Sequence, residues 1–410
     1  MTTNAQPRIA IFTHDTYGLG HVQRCLRIIE EVSGQCPEAA ILLITGSPSL
    51  SLLRALPKNA DYVKIPTIVQ TGLEESHPPH LPIELNEIVP MRNRMTRMAL
   101  QRFMPDVFLV DNFPLGARRE LNFVFQTLRD SSTKIVLGLR DVLETPEKVR
   151  LDWTRDNVYE VLETTYDHIL VYGMQEIHDT AREYGIPPAT AQKIRYCGYV
   201  APDLQVKLSP EEVRRELGVE GKFLLATVGG GGDGLPLLQT LLKAVPFLPD
   251  IPVIMITGPL MGDPELAELQ QQAVGLTNLR MLDFVEDLPS YLAAADVVVS
   301  MGGYNTSAEI MAVQANAVMV PRTWRFGEHR SREKIRESGE QRVRAQALAE
   351  LGIVEMLDPS RLGPRPLAAK ILQAWANPRG RSDMPLNLSG IKNAASFLLE
   401  TAGKRAVGAY

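Results

Sequence analysis

The chain has 410 residues, of which 45% are hydrophobic and 22% are charged. This composition is typical of a globular protein, and since one domain usually holds ~100 to 200 residues, we expect two domains. The formal charge of -5 disfavours sequence-independent binding to nucleic acid, because such binding requires a basic surface.

The N-terminus and the apolar runs indicate the compartment. Met1–Pro7 lacks the apolar core of a signal peptide, and no apolar run approaches the ~20 residues needed to span a bilayer. Cys25, Cys36 and Cys197 are widely spaced and form no C-x-x-C pair, so we expect free thiols in a reducing environment. The sequence therefore predicts a cytoplasmic protein.

Short runs of valine, isoleucine and leucine alternate with longer helical patterns, as in parallel sheets buried between helices. In the first half the predicted strands are Ile9–Thr13, Ala40–Thr45, Val107–Asp111, Ile135–Leu139 and Ile169–Tyr172. In the second half they are Phe223–Val228, Val253–Thr257, Leu279–Leu282, Val297–Ser300 and Ala317–Val320. The chain is predicted to be α/β, with a second parallel sheet in the second half, where the alternation of strands and helices begins again.

The join between the halves is predicted close to Pro202. Shortly after it, Ser209 is placed to cap a helix whose first residue is Pro210. One further helix is expected near the C-terminus, packing back on the first domain. The predicted segments are residues 1–203, residues 204–386 and the returning helix at about 387–403.

The loop His14–His21 follows the first strand directly, and in open parallel sheets ligands bind beyond such strand ends. Gly18 and Gly20 permit close approach of backbone to a ligand. A dinucleotide-binding fingerprint needs a third glycine where Gln23 stands, so a Rossmann dehydrogenase is disfavoured.

His21 is a candidate general base, because a histidine with a reference pKa of ~6.5 titrates near neutral pH. Asp111 ends another strand of the same sheet and could orient His21 and stabilise its charge. The alternatives are a helix-capping or packing role for His21, and a turn role for Asp111 before Asn112 and Pro114.

The glycine loop, Val228–Gly234, follows the first strand of the second half. Backbone N–H groups in such a loop can hold a diphosphate, helped by the positive end of the next helix. No Gly-Lys-Ser/Thr follows, so the loop is not a Walker motif. A flexible hinge is the alternative.

The second candidate anion site is Ser300–Glu309, which combines a glycine pair, hydroxyl side chains and the start of a helix. Glu309 could accept hydrogen bonds from both hydroxyls of a ribose. Alternatively, Glu309 closes a capping box with Thr306 or Asn305.

These stretches together resemble the GT-B glycosyltransferases of family 28, the group of the MurG-type peptidoglycan N-acetylglucosaminyltransferase and its uncharacterised relatives. The most specific matches are Phe284–Pro289 through Asp296, Met301–Glu309, Val320–Arg322 and Glu340–Gln341. The resemblance implies two Rossmann-like domains facing across a cleft. Residues 1–203 would then bind the acceptor and residues 204–386 the nucleotide-sugar donor.

The resemblance also implies the donor contacts. The backbone at Phe284 and Val285 would meet the base, Glu309 the ribose, and Glu340 with Gln341 the sugar hydroxyls. The remaining expected donor-binding residues are Gly230, Gly231, Gly303, Tyr304, Asn305, Thr306 and Arg322. In related inverting enzymes the histidine matching His21 is the base, which makes Asp111 its expected partner and places Gly18 and Gly20 in the acceptor loop.

The implied activity is inverting transfer of a hexose or N-acetylhexosamine from a nucleoside-diphosphate sugar, expected to be UDP-linked, to an acceptor hydroxyl, without metal or other cofactor. The acceptor and sugar stay open, because His14–Tyr17 replaces a more glycine-rich stretch and the segment between Pro321 and Gln341 is longer and more basic. The alternatives are a nucleotide-sugar epimerase of the same architecture and a non-catalytic nucleotide-sugar-binding protein.

Arg322 directly follows a predicted strand, so we expect it to neutralise donor phosphates. A solvated loop is the simpler interpretation of the neighbouring basic residues, which are Arg325, His329, Arg330 and Arg332.

The segment Ile88–Met104 carries a methionine stripe beside arginines, which could contact an anionic membrane carrying a lipid-linked acceptor. A buried or substrate-lining role is the alternative, as is a small-molecule acceptor. His77 and His80 have metal-like spacing but no accompanying carboxylate or cysteine set, so no zinc site is expected.

Overall fold

The computed structural model describes residues 6–13, 20–48, 56–70, 76–200, 205–248, 250–322, 324–326, 335–378 and 384–403. The chain divides into two compact units. The first contains Met1–Val200 and Ser389–Tyr410, and the second contains Ala201–Phe326 and Ile335–Leu388.

The first unit is built on a parallel sheet. Among the described residues its strands lie in the order β3-β2-β1-β6-β7-β8-β9. Their bounds are β1 Arg8–Thr13, β2 Ala40–Thr45, β3 Ala60–Lys64, β6 Val107–Asp111, β7 Lys134–Arg140, β8 His168–Tyr172 and β9 Ile194–Tyr196, with a separate hairpin of β4 Val69–Gln70 and β5 Ser76–His77. Thr13 pairs with Thr45 on one side and Asp111 on the other, so these carboxyl ends are level.

Helices cover this sheet. Their bounds are α1 Gly20–Gln35, α2 Leu85–Phe103, α3 Asn122–Leu128, α4 Pro146–Arg155, α5 Val158–Thr164, α6 Thr180–Glu183, α7 Pro188–Ala191 and the C-terminal α15 Gly390–Thr401. α1 buries Val22, Ile29 and Val32, and α15 packs against α1. Gly390 permits close contact, because a β-carbon there would lie 2.5 Å from the Tyr199 oxygen.

The second unit holds another parallel sheet, ordered β12-β11-β10-β13-β14-β17 among the described residues. Its strands are β10 Leu224–Thr227, β11 Val253–Ile256, β12 Leu279–Leu282, β13 Val297–Ser300, β14 Ala317–Met319 and β17 Glu355–Met356, beside a hairpin of β15 Trp324–Phe326 and β16 Ile335–Glu337. Its helices are α8 Pro210–Leu217, α9 Leu235–Ala244, α10 Asp263–Ala273, α11 Leu288–Ala294, α12 Tyr304–Val313, α13 Glu340–Glu350 and α14 Pro364–Ala376.

The α/β prediction is confirmed, and every predicted strand is present within a residue or so at each end. The predicted cap is also present, since Ser209 and Glu212 form a capping box with Pro210 as the first helical residue. Across the described ranges, no helix is both long and apolar enough to cross a membrane.

Candidate active site

One candidate site lies in the first unit, at the carboxyl edge of its sheet. α1 begins at Gly20, directly before His21, and β6 ends at Asp111. His21 Nδ1 lies 3.0 Å from Asp111 Oδ1, with the histidine side chain 18% exposed and the aspartate fully buried. The structure therefore brings together the two predicted catalytic residues. Gly18 lies outside the described residues.

Arg24 joins this pair and was not expected from the sequence. Its Nε donates to Asp111 Oδ2 at 2.9 Å and its Nη2 to Asp111 Oδ1 at 2.7 Å. The same Nη2 lies 2.7 Å from His21 Nδ1. The available signal is spacing, because a residue three positions after His21 shares its face of the helix.

These contacts set the charge of both groups. Burial raises the pKa of Asp111, but the Arg24 guanidinium and the contact with His21 outweigh it and bring the pKa to about 2. Burial lowers the pKa of His21, and the interaction with Asp111 opposes this only in part. At neutral pH the pair is thus a carboxylate beside a neutral imidazole, the form of histidine that accepts a proton.

In the second unit, the glycine loop connects β10 to α9 and is fixed by packing. Gly231 has φ +92°, and a β-carbon there would lie 2.3 Å from the Thr257 carbonyl oxygen. At Gly234 a β-carbon would lie 2.4 Å from the Val228 side chain. At Gly232 a β-carbon would meet nothing within 4 Å, so backbone is open to approach there. These tight contacts disfavour the flexible-hinge alternative.

The second glycine turn leads into α12 and lies beside the glycine loop. A β-carbon at Gly229 would sit 3.4 Å from Thr306 Oγ1 in the first turn of α12. Gly303 precedes the helix and supplies no side-chain cap, so the amides of Tyr304, Asn305 and Thr306 form a helix N-terminus suited to an anion.

Glu309 is the sixth residue of α12 and is 7% exposed. A capping box places its glutamate at the third helical position, so the capping alternative is excluded for Glu309. Glu309 therefore remains the candidate for the predicted ribose contact.

Arg322 links three parts of this region. Its backbone N–H donates to Gln341 Oε1 at 3.1 Å, and its Nη1 lies 3.3 Å from Asp233 Oδ2 in the glycine loop. Gln341 Nε2 in turn lies close to Gly303. The predicted phosphate-neutralising cation is therefore held beside both glycine turns.

Arg344 is a second buried arginine that the sequence did not indicate. Its Nη1 donates to the Gly302 carbonyl at 3.0 Å, and its Nη2 donates to Glu340 Oε1 at 3.2 Å. Its guanidinium also lies 5.6 Å from the centroid of the Tyr304 ring. Arg344 thus supports the turn before α12 and engages the carboxylate that was expected to meet the sugar.

Phe284 and Val285 follow β12. The loop is anchored where Gly258 N–H donates to the Asp283 carbonyl at 2.9 Å. A β-carbon at Gly258 would lie 2.4 Å from the Gly229 carbonyl, so this anchor packs on the glycine loop. The Phe284 ring is 60% exposed, which makes it an accessible face for a planar base.

The methionine stripe is divided between core and surface. Ile88 is buried, and Arg92 is fully buried in an ion pair with Glu120. Met91 and Met98 are 42% and 67% exposed. The surface expected to contact a membrane is therefore limited to the outer face of α2. The helical period of 3.6 residues places Ile88 and Arg92 on the inner face.

The other expected residues add little. His329, Arg330 and Arg332 lie outside the described residues, as does the side chain of Arg325. Within the described part of the chain, no group of three or more histidine, cysteine, aspartate or glutamate residues is placed to hold a metal ion. None of the three cysteines forms a disulfide.

Two parallel-sheet units with loops of this kind define the GT-B class, to which the similar solved structures belong. The glycotransferase of kitacinnamycin matches with a TM-score of 0.62 and 17% identity, over 97% of this chain and 98% of that one. MurG of Acinetobacter baumannii matches with a TM-score of 0.59 and 14% identity, over 95% and 94%. The predicted GT-B fold is confirmed.

A family model also matches the chain. Residues 225–397 match the glycosyltransferase family 28 C-terminal domain, the family that the sequence motifs predict.

Curated relatives agree with the family. The UDP-N-acetylglucosamine--N-acetylmuramyl-(pentapeptide) pyrophosphoryl-undecaprenol N-acetylglucosamine transferase of an Exiguobacterium species is 23% identical over 38% of this chain and 43% of its own length. An uncharacterized glycosyltransferase of Methanosarcina acetivorans is 24% identical over 52% and 53%. The chain thus spans about half or less of the length of these curated relatives.

Proposed function

We propose that the protein is an inverting glycosyltransferase that transfers a hexose or N-acetylhexosamine from a UDP-sugar to an acceptor hydroxyl. The observation that carries this proposal is the convergence of two glycine turns, an uncapped helix N-terminus and Arg322 within a family 28 domain. Such a set combines fixed amide donors with a guanidinium, which suits a diphosphate.

The donor contacts follow from this arrangement. The diphosphate lies against Gly232 and the first turn of α12, where backbone is open and N–H groups point outward. The ribose hydroxyls bind Glu309, and the base lies on the exposed Phe284 ring. The UDP-linked donor is consistent with the name of the Exiguobacterium relative.

His21 acts as the general base in the proposed reaction. The acceptor oxygen forms a bond to the anomeric carbon while its proton moves to His21 Nε2, and the bond from that carbon to the diphosphate breaks. Asp111 stabilises the imidazolium that forms. Arg322 and the α12 amides stabilise the charge on the departing diphosphate, so we propose transfer that is insensitive to EDTA.

The first test measures donor binding by calorimetry with a panel of nucleoside-diphosphate sugars. We expect UDP-sugars to bind, Glu309→Ala to weaken them at least tenfold, and the exposed Glu350→Ala control to bind like wild type. Binding of no nucleotide-sugar, or unchanged affinity in Glu309→Ala, contradicts the donor assignment.

The second test measures chemistry. With donor and a library of hydroxylated acceptors, we expect transfer that His21→Ala reduces about 10²–10⁴-fold, the usual contribution of a general base, while His168→Ala keeps wild-type rates. Conversion of the sugar with donor alone identifies an epimerase instead. Full activity in His21→Ala rejects the base.

We further propose that a lipid-linked acceptor is reached at an anionic membrane surface through the outer face of α2. Met91 and Met98 are exposed on this face together with Arg94 and Arg102, which provides apolar anchors and positive charge. The protein should sediment with phosphatidylglycerol vesicles but not with phosphatidylcholine vesicles, and Met91→Ser/Met98→Ser should abolish this. Equal sedimentation of wild type and variant, or none with either vesicle, points to a small-molecule acceptor.

A further inference from the structure

His21 Nδ1 contacts two groups with opposite requirements. Asp111 Oδ1, at 3.0 Å, can only accept a hydrogen bond while it is ionised. Arg24 Nη2, at 2.7 Å, can only donate. Nδ1 must carry a proton to satisfy the carboxylate and must lack one to satisfy the guanidinium, so the two contacts favour different tautomers of the ring.

Arg24 is held firmly in this position. It is 4% exposed and makes two hydrogen bonds to the fully buried Asp111 carboxylate. On its other side the guanidinium lies 5.0 Å from the centroid of the Tyr172 ring. A flexible surface arginine could leave His21 freely, whereas this one is fixed by a bidentate ion pair and a ring contact.

Tyr172 can occupy its position only because the neighbouring strand carries a glycine, and thus no side chain, at the point of contact. Gly138 lies on β7, and a β-carbon there would sit 2.0 Å from Tyr172 Oη. The tyrosine ring therefore lies across a position where any other residue would displace it. Four adjoining elements, β7, β8, α1 and β6, thus support a single contact at His21 Nδ1.

We propose that Arg24 is a positioning residue that selects the tautomer of His21 by donating to Nδ1 while it holds Asp111. The neutral imidazole of the resting protein then carries its proton on Nε2. When the Arg24 contact to Nδ1 is lost, the ring adopts the other neutral tautomer: water supplies a proton to Nδ1 and takes up the proton from Nε2. Nδ1–H then donates a hydrogen bond to the ionised Asp111 carboxylate, and Nε2 becomes the proton acceptor. The catalytic consequence rests on the proposed role of His21 as base, but the tautomer itself does not.

Several charged groups act on His21 among the described residues. Asp111 on β6 favours the imidazolium, whereas Arg24 on α1 and Arg140 at the end of β7 disfavour it. The Phe113 ring also lies beside His21, with the two ring centroids 6.4 Å apart. Without Arg24, only Arg140 among these groups would repel the imidazolium, while Asp111 would still attract it. The pKa of His21 should therefore rise.

Nitrogen NMR of ¹⁵N-histidine-labelled protein tests the proposal directly, with the His21 signals assigned by their loss in His21→Gln. In wild type at neutral pH we expect protonated Nε2 and unprotonated Nδ1. In Arg24→Met we expect the proton on Nδ1 and a higher titration midpoint. Arg27→Met, with the same charge change on the same helix, should match wild type.

Arg24→Lys is the second variant, because Arg24→Met removes the cation beside a buried carboxylate, a change large enough to prevent folding. Lysine keeps the positive charge but lacks the planar guanidinium that reaches both Asp111 and His21. We therefore expect the Nδ1–H tautomer, with a smaller change in the titration midpoint of His21. If either folded variant, checked by circular dichroism, keeps the wild-type tautomer and midpoint, the proposal is wrong. A purely structural role would lower thermal stability without moving these signals.

The rate of transfer supplies a separate readout. If His21 is the base, the acidic limb of the kcat/KM profile should move to higher pH in Arg24→Met, by the same interval as the NMR midpoint. A moved midpoint with an unmoved limb rejects His21 as the base and keeps the tautomer role of Arg24. An unmoved midpoint rejects the Arg24 proposal whether or not transfer is observed.

Discussion

Replacing Gly231 by alanine separates packing from ligand binding in the glycine loop. Gly231 has φ +92°, and a β-carbon there would lie 2.3 Å from the Thr257 carbonyl oxygen and 3.1 Å from the Met261 nitrogen. Both are backbone atoms, which cannot rotate away as a side chain would. Gly231→Ala must therefore displace either the glycine loop or the turn after β11.

The expected cost follows from two contributions. A left-handed backbone costs an L-residue about 1–2 kcal/mol, because its β-carbon crowds the carbonyl oxygen. Forcing extra volume into a packed site costs about 1–3 kcal/mol more. We expect a loss of about 2–5 kcal/mol in the free energy of unfolding of the second unit. The melting temperature should fall by roughly 2–4 °C per kcal/mol.

Urea denaturation and calorimetry with a UDP-sugar measure the two effects, with Gly232→Ala as the matched control. A β-carbon at Gly232 would meet nothing within 4 Å, and its φ lies outside the left-handed region. We expect Gly232→Ala to keep wild-type stability and to weaken donor binding. Gly231→Ala should lower both the stability and the affinity for the donor. Wild-type stability in Gly231→Ala, or equal destabilisation of the two variants, would refute this reasoning.

Three other predictions concern buried or partly buried charges. The lowered pKa of Asp111, about 2 against 3.8 in the unfolded chain, contributes about 2 kcal/mol of stability that is present above pH ~4 and lost as the pH falls towards ~2. The stability difference between wild type and Asp111→Asn should therefore shrink over this interval in urea titrations, and a constant difference contradicts the assignment. Arg344→Met should destabilise the second unit by about 3–5 kcal/mol, because it removes the arginine that is ion-paired with the buried Glu340 carboxylate. Destabilisation below about 1 kcal/mol in urea unfolding argues against this, and the partly exposed Arg342→Met is its control. Asp233→Asn should tighten UDP-sugar binding up to about fivefold in calorimetry by releasing Arg322 from a partly exposed ion pair worth about 0–1 kcal/mol. Weaker binding would show that Asp233 helps to hold the donor loop.

The central strands could be predicted from the sequence because both of their faces are buried. Ala40–Thr45 and Val107–Asp111 are found with their predicted bounds, and β6 has no exposed residue. A strand covered on both sides reads as an uninterrupted apolar run, which is a local signal.

Of the four described strands at the edges of the two large sheets, Leu279–Leu282 was predicted and the other three were not. Ala60–Lys64, Ile194–Tyr196 and Glu355–Met356 were not predicted, and each pairs with a neighbour on one side only. β3 contains no buried residue, and its sequence Ala-Asp-Tyr-Val-Lys lacks the uninterrupted apolar run that marks the central strands. Their identity as strands comes from the partner that supplies the hydrogen bonds.

In the candidate site, too, some features could be predicted from the sequence and others required the structure. His21 and Asp111 could be paired from the sequence because strand ends of one parallel sheet meet at one edge. The capping interpretation of Glu309 could not be excluded until the helix start was known to lie at Tyr304.

The sequence by itself therefore determined the α/β class, the motifs that resemble family 28 and the glycine-containing loops at the strand ends, since these depend on local periodicity and on residue types. The tertiary structure alone decided which buried charges pair between different elements. Arg24 and Asp111 stand 87 positions apart, and Arg92 and Glu120 stand 28 apart. Such partners are set by which elements pack together, and a pattern that repeats every two to four residues carries no record of that choice.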